Sequence, residues 1–370
     1  MHIVLFFTFD YSLSTWLKSG HLTRELKFYD YLTKKGVKVS FVTYGDSQDL
    51  KILDSSKINI IPIYSLIKKS KYKIINIFKS IFVPFNLMKK IDTQTKKVII
   101  KQNQLLGSWV SIIFKIITKS KLYTRTGYDM YLFSVKEKKS SYKRFLYFLL
   151  TQVTILFSDY YSVTSSSDSN FLKKRCIGTK KIVVRPNWVD VDSDTHGKKY
   201  NRRLLAVGRL EKQKNFHNLL YSAKETGFVI DIYGEGSLKQ ELINLAKSLN
   251  IALTIYDNIE NDNLLNIYKK YKYFVSTSNF EGNSKVILEA MANGCIVIAK
   301  DIENNREIIK HKFSGLLYTN NLNEILVKCK DDSFKDVDLI KNAKNTIEKN
   351  YSKEVIFSNY FSDFEKIIQK

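Results

Sequence analysis

The chain has 370 residues, 44% of them hydrophobic, and a formal net charge of +24 from 60 Lys and Arg against 36 Asp and Glu. This much apolar side-chain area excludes collagen-like and disordered chains, and at about 100–200 residues per domain the length predicts two domains. The three cysteines, Cys176, Cys295 and Cys329, are too far apart in sequence for a disulfide framework or a zinc site, which indicates a reducing cytoplasm.

The first half alternates short apolar strands with amphipathic helices. The opening segment has no basic n-region ahead of its apolar run, so it predicts a buried strand over 2–9 rather than a secretory signal. A helix over 22–35 and a strand over 37–44 complete a βαβ unit, and further strands are predicted at 97–101, 122–125, 160–164 and 182–185. The longest apolar stretch, 145–157, is shorter than the ~20 residues that span a bilayer, so no transmembrane helix is predicted.

The positive charge is concentrated in this first half. Residues 1–200 carry 35 Lys and Arg against 14 Asp and Glu, and residues 51–150 alone carry 21 against 4. Because these basic residues alternate with aromatic and aliphatic ones, the segment is typical of a surface that binds an anionic membrane or a phosphorylated partner. The candidate contacts are Lys68, Lys69, Lys71, Lys73 and Lys79, with Phe78, Phe82 and Phe85 as insertions.

This charge has two further interpretations. In one, the lysines reflect a general bias of the chain towards Lys on solvated faces, and the phenylalanines belong to the core. In the other, the partner is a nucleic acid, which is not expected because the sequence has no zinc-finger spacing, no RNP-like run and no basic-leucine heptads.

The second half repeats the α/β pattern after a polar stretch over 192–201, which predicts the linker between two domains. Strands are predicted at 204–207, 228–233, 252–255, 273–277 and 296–299, with helices at 215–224, 238–248, 261–271 and 284–292. The predicted organisation is an N-terminal Rossmann-like domain over 1–195, a C-terminal Rossmann-like domain over 200–350, and a C-terminal helix over 351–370 that packs back on the N-terminal domain.

Two glycine turns follow strands of the second half. Gly208 ends the first strand, and Arg209 and Lys214 flank the start of a helix, an arrangement that suits an anion, although solvated surface charge is the alternative interpretation. The second turn, Gly234-x-Gly236, lacks the third glycine of the dinucleotide fingerprint because Lys239 stands there. It is therefore interpreted as a tight strand-to-helix turn.

The segment 279–294, NFEGNSKVILEAMANG, carries two carboxylates around a helix start. Glu281 lies in the loop that leaves a strand, and Glu289 lies inside the helix that begins near Ser284, roughly 10 Å away at ~1.5 Å per residue. Helix N-terminal amides between two such carboxylates fit a sugar nucleotide, with one carboxylate for sugar hydroxyls, the other for ribose hydroxyls and the amides for the diphosphate.

Together these motifs resemble the GT-B glycosyltransferases, most closely the retaining family 4 (group 1). The resemblance rests on Val207-Gly208-Arg209 with Lys214, on the Gly234-x-Gly236 turn, on the two glutamates eight residues apart, and on Glu307 followed by Gly315-Leu316-Leu317. It implies an α/β fold of the GT-B type, with two Rossmann-like doubly wound domains facing a cleft. By the same resemblance the catalytic residues are Arg209, Lys214 and Glu281, and the donor-binding residues are Gly20, Gly208, Arg209, Lys214, Gly282, Asn283, Ser284, Lys285, Val286 and Glu289.

The first half resembles the family more loosely, through Gly20 and through Pro186-Asn187-Trp188-Val189-Asp190. Many relatives have a histidine after the middle strand of this domain, where this sequence has Arg125 and Asp129. Either residue is a candidate contact to sugar or acceptor, as is His21, and a structural pairing of Arg125 with Asp129 is the alternative. Asn215 stands where relatives usually have glycine.

The resemblance implies transfer of a sugar from a nucleotide sugar to a hydroxyl, with retention and with neither a cofactor nor a metal. An Asp-x-Asp at the mouth of a strand is missing from the second half, in keeping with that expectation. The basic first half favours a lipid-linked or cell-surface glycan acceptor and a peripheral position on the inner face of the cell membrane. The alternatives are a non-catalytic scaffold that binds sugar nucleotide or lipid, and a transferase with a soluble sugar acceptor.

Overall fold

This computed structural model of the chain describes residues 1–53, 57–92, 97–191, 199–331, 334 and 336–369. Its strands are β1 (His2–Phe6), β2 (Lys38–Thr43), β3 (Asn59–Pro62), β4 (Val98–Asn103), β5 (Lys121–Arg125), β6 (Tyr160–Val163), β7 (Ile182–Val184), β8 (Tyr200–Val207), β9 (Val229–Tyr233), β10 (Leu253–Tyr256), β11 (Tyr271–Ser276), β12 (Ile296–Lys300) and β13 (Leu316–Tyr318).

The α-helices alternate with these strands along the chain. They are α1 (Leu13–Lys18), α2 (Leu22–Lys34), α3 (Lys73–Ser80), α4 (Val83–Leu87), α5 (Ser108–Thr118), α6 (Met130–Lys136), α7 (Ser141–Phe157), α8 (Ser166–Lys173), α9 (Phe216–Ala223), α10 (Lys239–Ser248), α11 (Asn261–Tyr268), α12 (Lys285–Ala292), α13 (Glu303–Ile308), α14 (Leu322–Lys330), α15 (Asp336–Asn350) and α16 (Lys353–Gln369). Within the described part of the chain, no helix has both the length and the apolar character that crossing a membrane requires.

The chain divides into two compact units, and unit 1 comprises Met1–Arg185 with Phe357–Lys370. Its sheet has the strand order β3-β2-β1-β4-β5-β6-β7, and neighbouring strands are parallel. Strands covered on both faces are continuous apolar runs, as in β1, where every residue is buried. The chain order reverses between β1 and β4, which makes their carboxyl ends the expected ligand position in unit 1.

Helix α16 supplies residues to the core of unit 1. The ring of Phe28 in α2 packs against Phe357 and Phe364, with ring centroids 5.0 and 6.3 Å apart. The buried carboxylate of Asp363 accepts hydrogen bonds from the Arg185 guanidinium at 2.8 and 2.5 Å and from the Tyr123 hydroxyl at 3.1 Å. The residues that follow unit 2 in sequence therefore fill the interior of unit 1.

Unit 2 comprises Pro186–Ile356 and has a parallel sheet in the order β10-β9-β8-β11-β12-β13. Successive residues of a strand point to opposite faces, so Leu204 belongs to one hydrophobic cluster and Leu205 to another. The chain order reverses between β8 and β11, and the loops that follow these two strands carry the candidate site. The two parallel sheets confirm the predicted α/β class.

Several predicted boundaries are wrong. The short strands β3 and β13 were not predicted as strands, and β1 ends at Phe6 rather than at residue 9, because Phe7 and Phe9 are buried in the loop that follows. The predicted helix over 261–271 ends at Tyr268, since Tyr271 begins β11 and pairs with Tyr200. Residues 192–198 of the predicted linker lie outside the described residues.

Candidate functional site

The candidate site of unit 2 lies where β8 and β11 end side by side. Gly208 and Arg209 follow β8 directly, and Glu281 lies in the loop between β11 and α12. Ligands of open parallel sheets bind beyond the carboxyl ends of the strands at the point where the chain order reverses. The structure thus places Arg209, Lys214 and Glu281 on the two loops that flank this point.

Hydrogen bonds join these two loops. The backbone amide of Asn279 donates to the Gln213 carbonyl at 2.9 Å, and the Gln213 side chain donates to the Phe280 carbonyl at 3.0 Å. The Thr277 hydroxyl donates to the carbonyl of Lys214 at 2.8 Å. The sequence did not single out Gln213, and it placed Asn279 at the start of the 279–294 segment without predicting its contact with Gln213. The only sequence signal for this contact is that each residue follows one of two strands that are neighbours in the sheet.

The joined loops bring Lys214 against Glu281. The Lys214 Nζ atom lies 2.5 Å from Glu281 Oε1, and Glu281 is only 8% exposed. An ammonium group has three N–H donors, so this ion pair leaves donors on Lys214 for an anion. The stem of Lys214 runs over Gly208, which has a φ of +154° and at which a Cβ would lie 2.9 Å from Lys214 Cε. Gly208 is therefore required for this position of Lys214.

The second cation, Arg209, is exposed at the same strand end. Its Nη2 atom donates a long hydrogen bond of 3.5 Å to the side-chain oxygen of Gln213. Its guanidinium keeps most of its five donors for other partners. Two cations on one short loop, beside one partly neutralising carboxylate, give this strand end a net attraction for a multiply charged anion.

The Gly234-x-Gly236 turn holds the Gly208 loop from the other side. The Gly208 amide donates to the Tyr233 carbonyl at 3.0 Å, and the Leu210 amide donates to the Glu235 carbonyl at 2.8 Å. A Cβ at Gly234 would overlap the Gly208 carbonyl oxygen, and one at Gly236 would overlap the backbone of Leu210. These contacts confirm the interpretation as a tight turn.

The start of α12 follows Glu281 after three further residues, Gly282, Asn283 and Ser284, all of them buried. Ser284 is the N-cap residue, and its side chain makes no capping hydrogen bond. Asn283 is held by Asn187, whose amide donates to Asn283 Oδ1 at 2.9 Å and whose side chain donates to the Asn283 carbonyl at 2.6 Å. The sequence singled out both asparagines but did not predict their pairing.

Glu289 lies inside α12 and is only 3% exposed. Its Oε1 atom accepts from Asn261 at 3.0 Å and pairs with Lys285 Nζ at 3.1 Å, and Tyr268 donates to Oε2 at 3.4 Å. Burial, and then the Glu289 carboxylate, hold the pKa of Tyr268 well above its usual range, so Tyr268 stays a donor. Glu289 is thus tied to α11, and Val286, the remaining predicted donor contact, is half-buried one turn earlier.

Unit 1 has a cavity of about 520 Å³ at the carboxyl ends of β1, β4 and β5. His21 and Arg125 line it together with Thr8, Gln104 and Tyr128. His21 Nδ1 lies 2.8 Å from the Ser19 hydroxyl, and Arg125 Nε donates to the Tyr360 hydroxyl at 2.8 Å. Two of the three predicted acceptor contacts therefore share one cavity at the point where the strand order of unit 1 reverses.

Gly20 and Asp129 have different surroundings. Gly20 is exposed with a φ of +68°, and no atom lies within 4 Å of the position that a Cβ would take. Asp129 is buried, caps α6 by accepting from the Leu132 amide at 2.9 Å, and accepts from the Tyr161 hydroxyl at 2.7 Å. Burial raises the pKa of Asp129, and its two oxygens are both used within unit 1. The structure assigns Asp129 a capping role.

Comparison with known proteins identifies the domain. Residues 191–346 match the family model described as glycosyl transferases group 1. A Campylobacter jejuni relative, named N-acetylgalactosamine-N,N'-diacetylbacillosaminyl-diphospho-undecaprenol 4-alpha-N-acetylgalactosaminyltransferase, is 39% identical over 125 residues, which are 31% of this chain and 32% of the relative. An Escherichia coli relative, named UDP-Gal:alpha-D-GlcNAc-diphosphoundecaprenol alpha-1,3-galactosyltransferase, is 28% identical over 211 residues, which are 49% of this chain and 53% of the relative.

The chain thus spans about a third and about half of the lengths of these two curated relatives. Similarity over the whole chain comes from solved structures. A glycosyltransferase from Rickettsia africae superposes with a TM-score of 0.72 at 16% identity, covering 100% of this chain and 99% of that one, which shows a shared fold. Residues 191–346 are a group 1 glycosyltransferase domain, and the chain as a whole has the GT-B fold.

Proposed function

We propose that this chain transfers a sugar from a nucleoside diphosphate donor to a hydroxyl group of a lipid-linked glycan, with retention and without a metal ion. The observation that carries the proposal is the Lys214–Glu281 ion pair, with Arg209 beside it, at the strand ends where unit 2 is expected to bind a ligand. Cations suit the diphosphate, and a carboxylate suits the sugar hydroxyls.

In the proposed reaction the free donors of Lys214 and the guanidinium of Arg209 bind the diphosphate. Glu281 stays paired with Lys214 and accepts hydrogen bonds from sugar hydroxyls. The bond between the anomeric carbon and the diphosphate oxygen breaks, and the acceptor oxygen bonds to the same face of that carbon. The acceptor proton passes to the departing phosphate oxygen. The two cations stabilise the charge that develops on the leaving diphosphate, which is the work that a metal ion does elsewhere.

The acceptor class comes from the relatives and from unit 1. Both curated relatives have names that include a diphospho-undecaprenol acceptor. Within unit 1, the cavity lined by His21 and Arg125 offers donors for an anionic or hydroxyl-rich acceptor. We therefore propose it as the acceptor site, with the transfer taking place at the cytoplasmic face of a membrane.

The exposure of α3 and α4 supports that location. Phe78, Phe82 and Phe85 are 63%, 64% and 54% exposed, so they are not core residues. Lys73 and Lys79 lie among them, Lys73 in an exposed ion pair with Asp10 at 3.5 Å and Lys79 donating to the Lys68 carbonyl at 3.0 Å. Exposed phenylalanines interleaved with lysines suit an anionic lipid surface.

The decisive experiment measures donor turnover by the purified chain. A panel of UDP-sugars is supplied with an undecaprenol diphosphate-linked sugar as acceptor, and nucleoside diphosphate release and glycolipid product are followed together. We expect acceptor-dependent release with one donor, a product with the donor's anomeric configuration by NMR, and loss in Lys214→Ala but not in Lys212→Ala. Binding of UDP without turnover of any donor would overturn the enzymatic proposal in favour of a scaffold.

A further inference from the structure

One face of the unit 1 sheet is covered by α3, α4, α5 and α7. Helix α4 contacts α5, and α5 contacts α7, so these helices lie side by side. Helix α2 lies on the opposite face. The chain moves from β1 to β2 in one direction across the sheet and from β4 to β6 in the other, and right-handed crossovers in opposite directions place their helices on opposite faces. The four helices α3, α4, α5 and α7 contain no Asp or Glu, whereas α2 contains Glu25 and Asp30.

Helix α7 turns apolar side chains towards solvent along its whole length. The outward residues, which we name the α7 stripe, are 40–71% exposed, and they are Tyr142, Phe145, Leu146, Leu149, Val153, Leu156 and Phe157. At 3.6 residues per turn they fall within an arc of roughly 120°. The side that faces the core carries Thr151, Thr154 and Ile155. A helix on the surface of a water-soluble protein normally turns its polar residues to solvent and its apolar residues to the core.

A cavity of about 430 Å³ lies beside the N-terminal half of α7. It is lined by Arg144 and Arg175 and by aromatic residues, among them Phe145 and Phe148. The Arg144 Nη2 atom donates to the Ser141 hydroxyl at 3.1 Å, but its Nε atom is buried without a hydrogen-bond partner. The Arg175 guanidinium lies 4.1 Å from the ring centroid of Phe171. Among the described residues, neither arginine forms an ion pair.

We propose that this cavity binds the phosphate of an anionic phospholipid headgroup, with the α7 stripe seated in the acyl region beside it. Two arginines match the charge and the acceptor oxygens of a phosphate, and the unpartnered Arg144 Nε is a donor that such a ligand satisfies. Phe145 belongs both to the cavity and to the stripe, so the headgroup position continues directly into the apolar surface.

A lipid fits this surface better than a second copy of the chain does. In a two-fold dimer the same patch meets itself, which would place Arg144 and Arg175 near their own symmetry mates with no carboxylate on α7 to compensate. An amphipathic helix with basic residues on its flank lies in the membrane interface, with its apolar side ~5–10 Å deep. The site is independent of the transfer reaction, because vesicle binding needs neither donor nor acceptor.

Vesicle flotation tests the proposal on the full chain. The vesicles are phosphatidylcholine alone or phosphatidylcholine with phosphatidylglycerol, and the variant is Arg144→Gln/Arg175→Gln. Its matched control, Lys34→Gln/Lys35→Gln, removes two exposed charges near the end of α2 on the other face. At about 1 kcal/mol per basic residue near an anionic surface, we expect roughly 30-fold weaker partitioning for the arginine variant and less than about 3-fold for the control.

A second variant and a soluble ligand complete the test. Leu149→Ser/Val153→Ser is expected to weaken vesicle binding while keeping the wild-type thermal midpoint, since both side chains are exposed. Equal flotation of the arginine variant and the lysine control would overturn the proposal. So would thermal stabilisation by inorganic phosphate without vesicle binding, which would indicate a free-phosphate site, or a change from dimer to monomer in the stripe variant, which would indicate a second copy.

Discussion

Lys214 and Glu281, 67 residues apart in sequence, form a largely buried ion pair between the loops that follow two neighbouring strands of unit 2. Without a ligand, the ion pair uses one N–H donor of Lys214 and one acceptor oxygen of Glu281, which are then not available to a ligand. It also has a use, because it fixes the direction of both side chains before a ligand arrives. Their energetic coupling in catalysis is therefore the first prediction.

Replacing Glu281 by Gln or Lys214 by Met is expected to lower kcat/KM for the donor by about 10- to 150-fold, the equivalent of ~1.5–3 kcal/mol for a lost charged hydrogen bond. The double variant should lose less than the product of the two single losses, since each single change leaves the other charge unpaired. Glu225→Ala, at an exposed ion pair away from the site, serves as control. Strictly multiplicative losses would show that the pair does not act as a unit.

Removal of divalent metal is expected to leave activity intact, because Arg209 and Lys214 carry the charge that would neutralise the diphosphate. Turnover should survive EDTA and fall to background in Arg209→Ala/Lys214→Ala. Assays with and without chelator, followed by readdition of Mg²⁺ or Mn²⁺, make the comparison. Activity that disappears in EDTA and returns with either ion would contradict this prediction.

Glu289→Ala is expected to affect stability as well as donor use. The change leaves Asn261, Tyr268 and Lys285 without the carboxylate that they share in a buried position. We expect the free energy of unfolding to fall by about 1–3 kcal/mol, and by less in Glu289→Gln, which keeps an acceptor oxygen. Urea unfolding of both variants measures this, and an unchanged midpoint for Glu289→Ala would mean that these contacts contribute nothing.

The buried Lys101 makes stability depend on pH. Burial lowers its pKa to about 7, with the Arg125 charge lowering it further and Glu25 opposing. The unfolded chain keeps this proton up to about pH 10.4, so between pH 7 and pH 10 the unfolded state binds more protons and the free energy of unfolding rises with pH.

In Lys101→Met, the increase of the unfolding free energy with pH should be smaller than in the wild type by up to about 1.4 kcal/mol per pH unit. Urea titrations at pH 7, 8 and 9 are compared with those of Lys34→Met, an exposed lysine whose replacement should leave the slope unchanged. Parallel curves for the wild type and Lys101→Met would contradict the assignment.

The fold was predictable wherever a strand is a continuous apolar run. Strand β1 and residues 204–207 of β8 are such runs, whereas the polar start of β8 was not predicted. The alternation of strands with helices was enough to identify the α/β class. The three residues of β13 are too few to carry a pattern, so their strand pairing depends on β12 alongside them. The end of α11 was misjudged for a similar reason, since Tyr271 leaves the helical pattern only because it pairs with β8.

The candidate site was predictable as a set of residues but not as a set of contacts. Arg209, Lys214 and Glu281 follow strands, and parallel strands bring their carboxyl ends to one edge. Whether Lys214 contacts Glu281 depends on the hydrogen bonds of Gln213 and Asn279, which join loops far apart in sequence. The α7 stripe shows another limit, because helical periodicity identifies residues that share a side without saying which side faces the core.

The contribution of α16 to unit 1 affects the order in which the chain can fold during synthesis. Phe357, Asp363 and Phe364 leave the ribosome only after all of unit 2 has been made. Until then Phe28 and Arg185 lack their partners on α16, and this part of the interior of unit 1 stays open to water. Unit 2, whose residues are contiguous, can complete its core first, although it comes second in the sequence. Unit 1, which is completed by residues 357–369, thus depends on translation through α16, so nascent chains arrested within unit 2 would expose its apolar surface to chaperones and proteases.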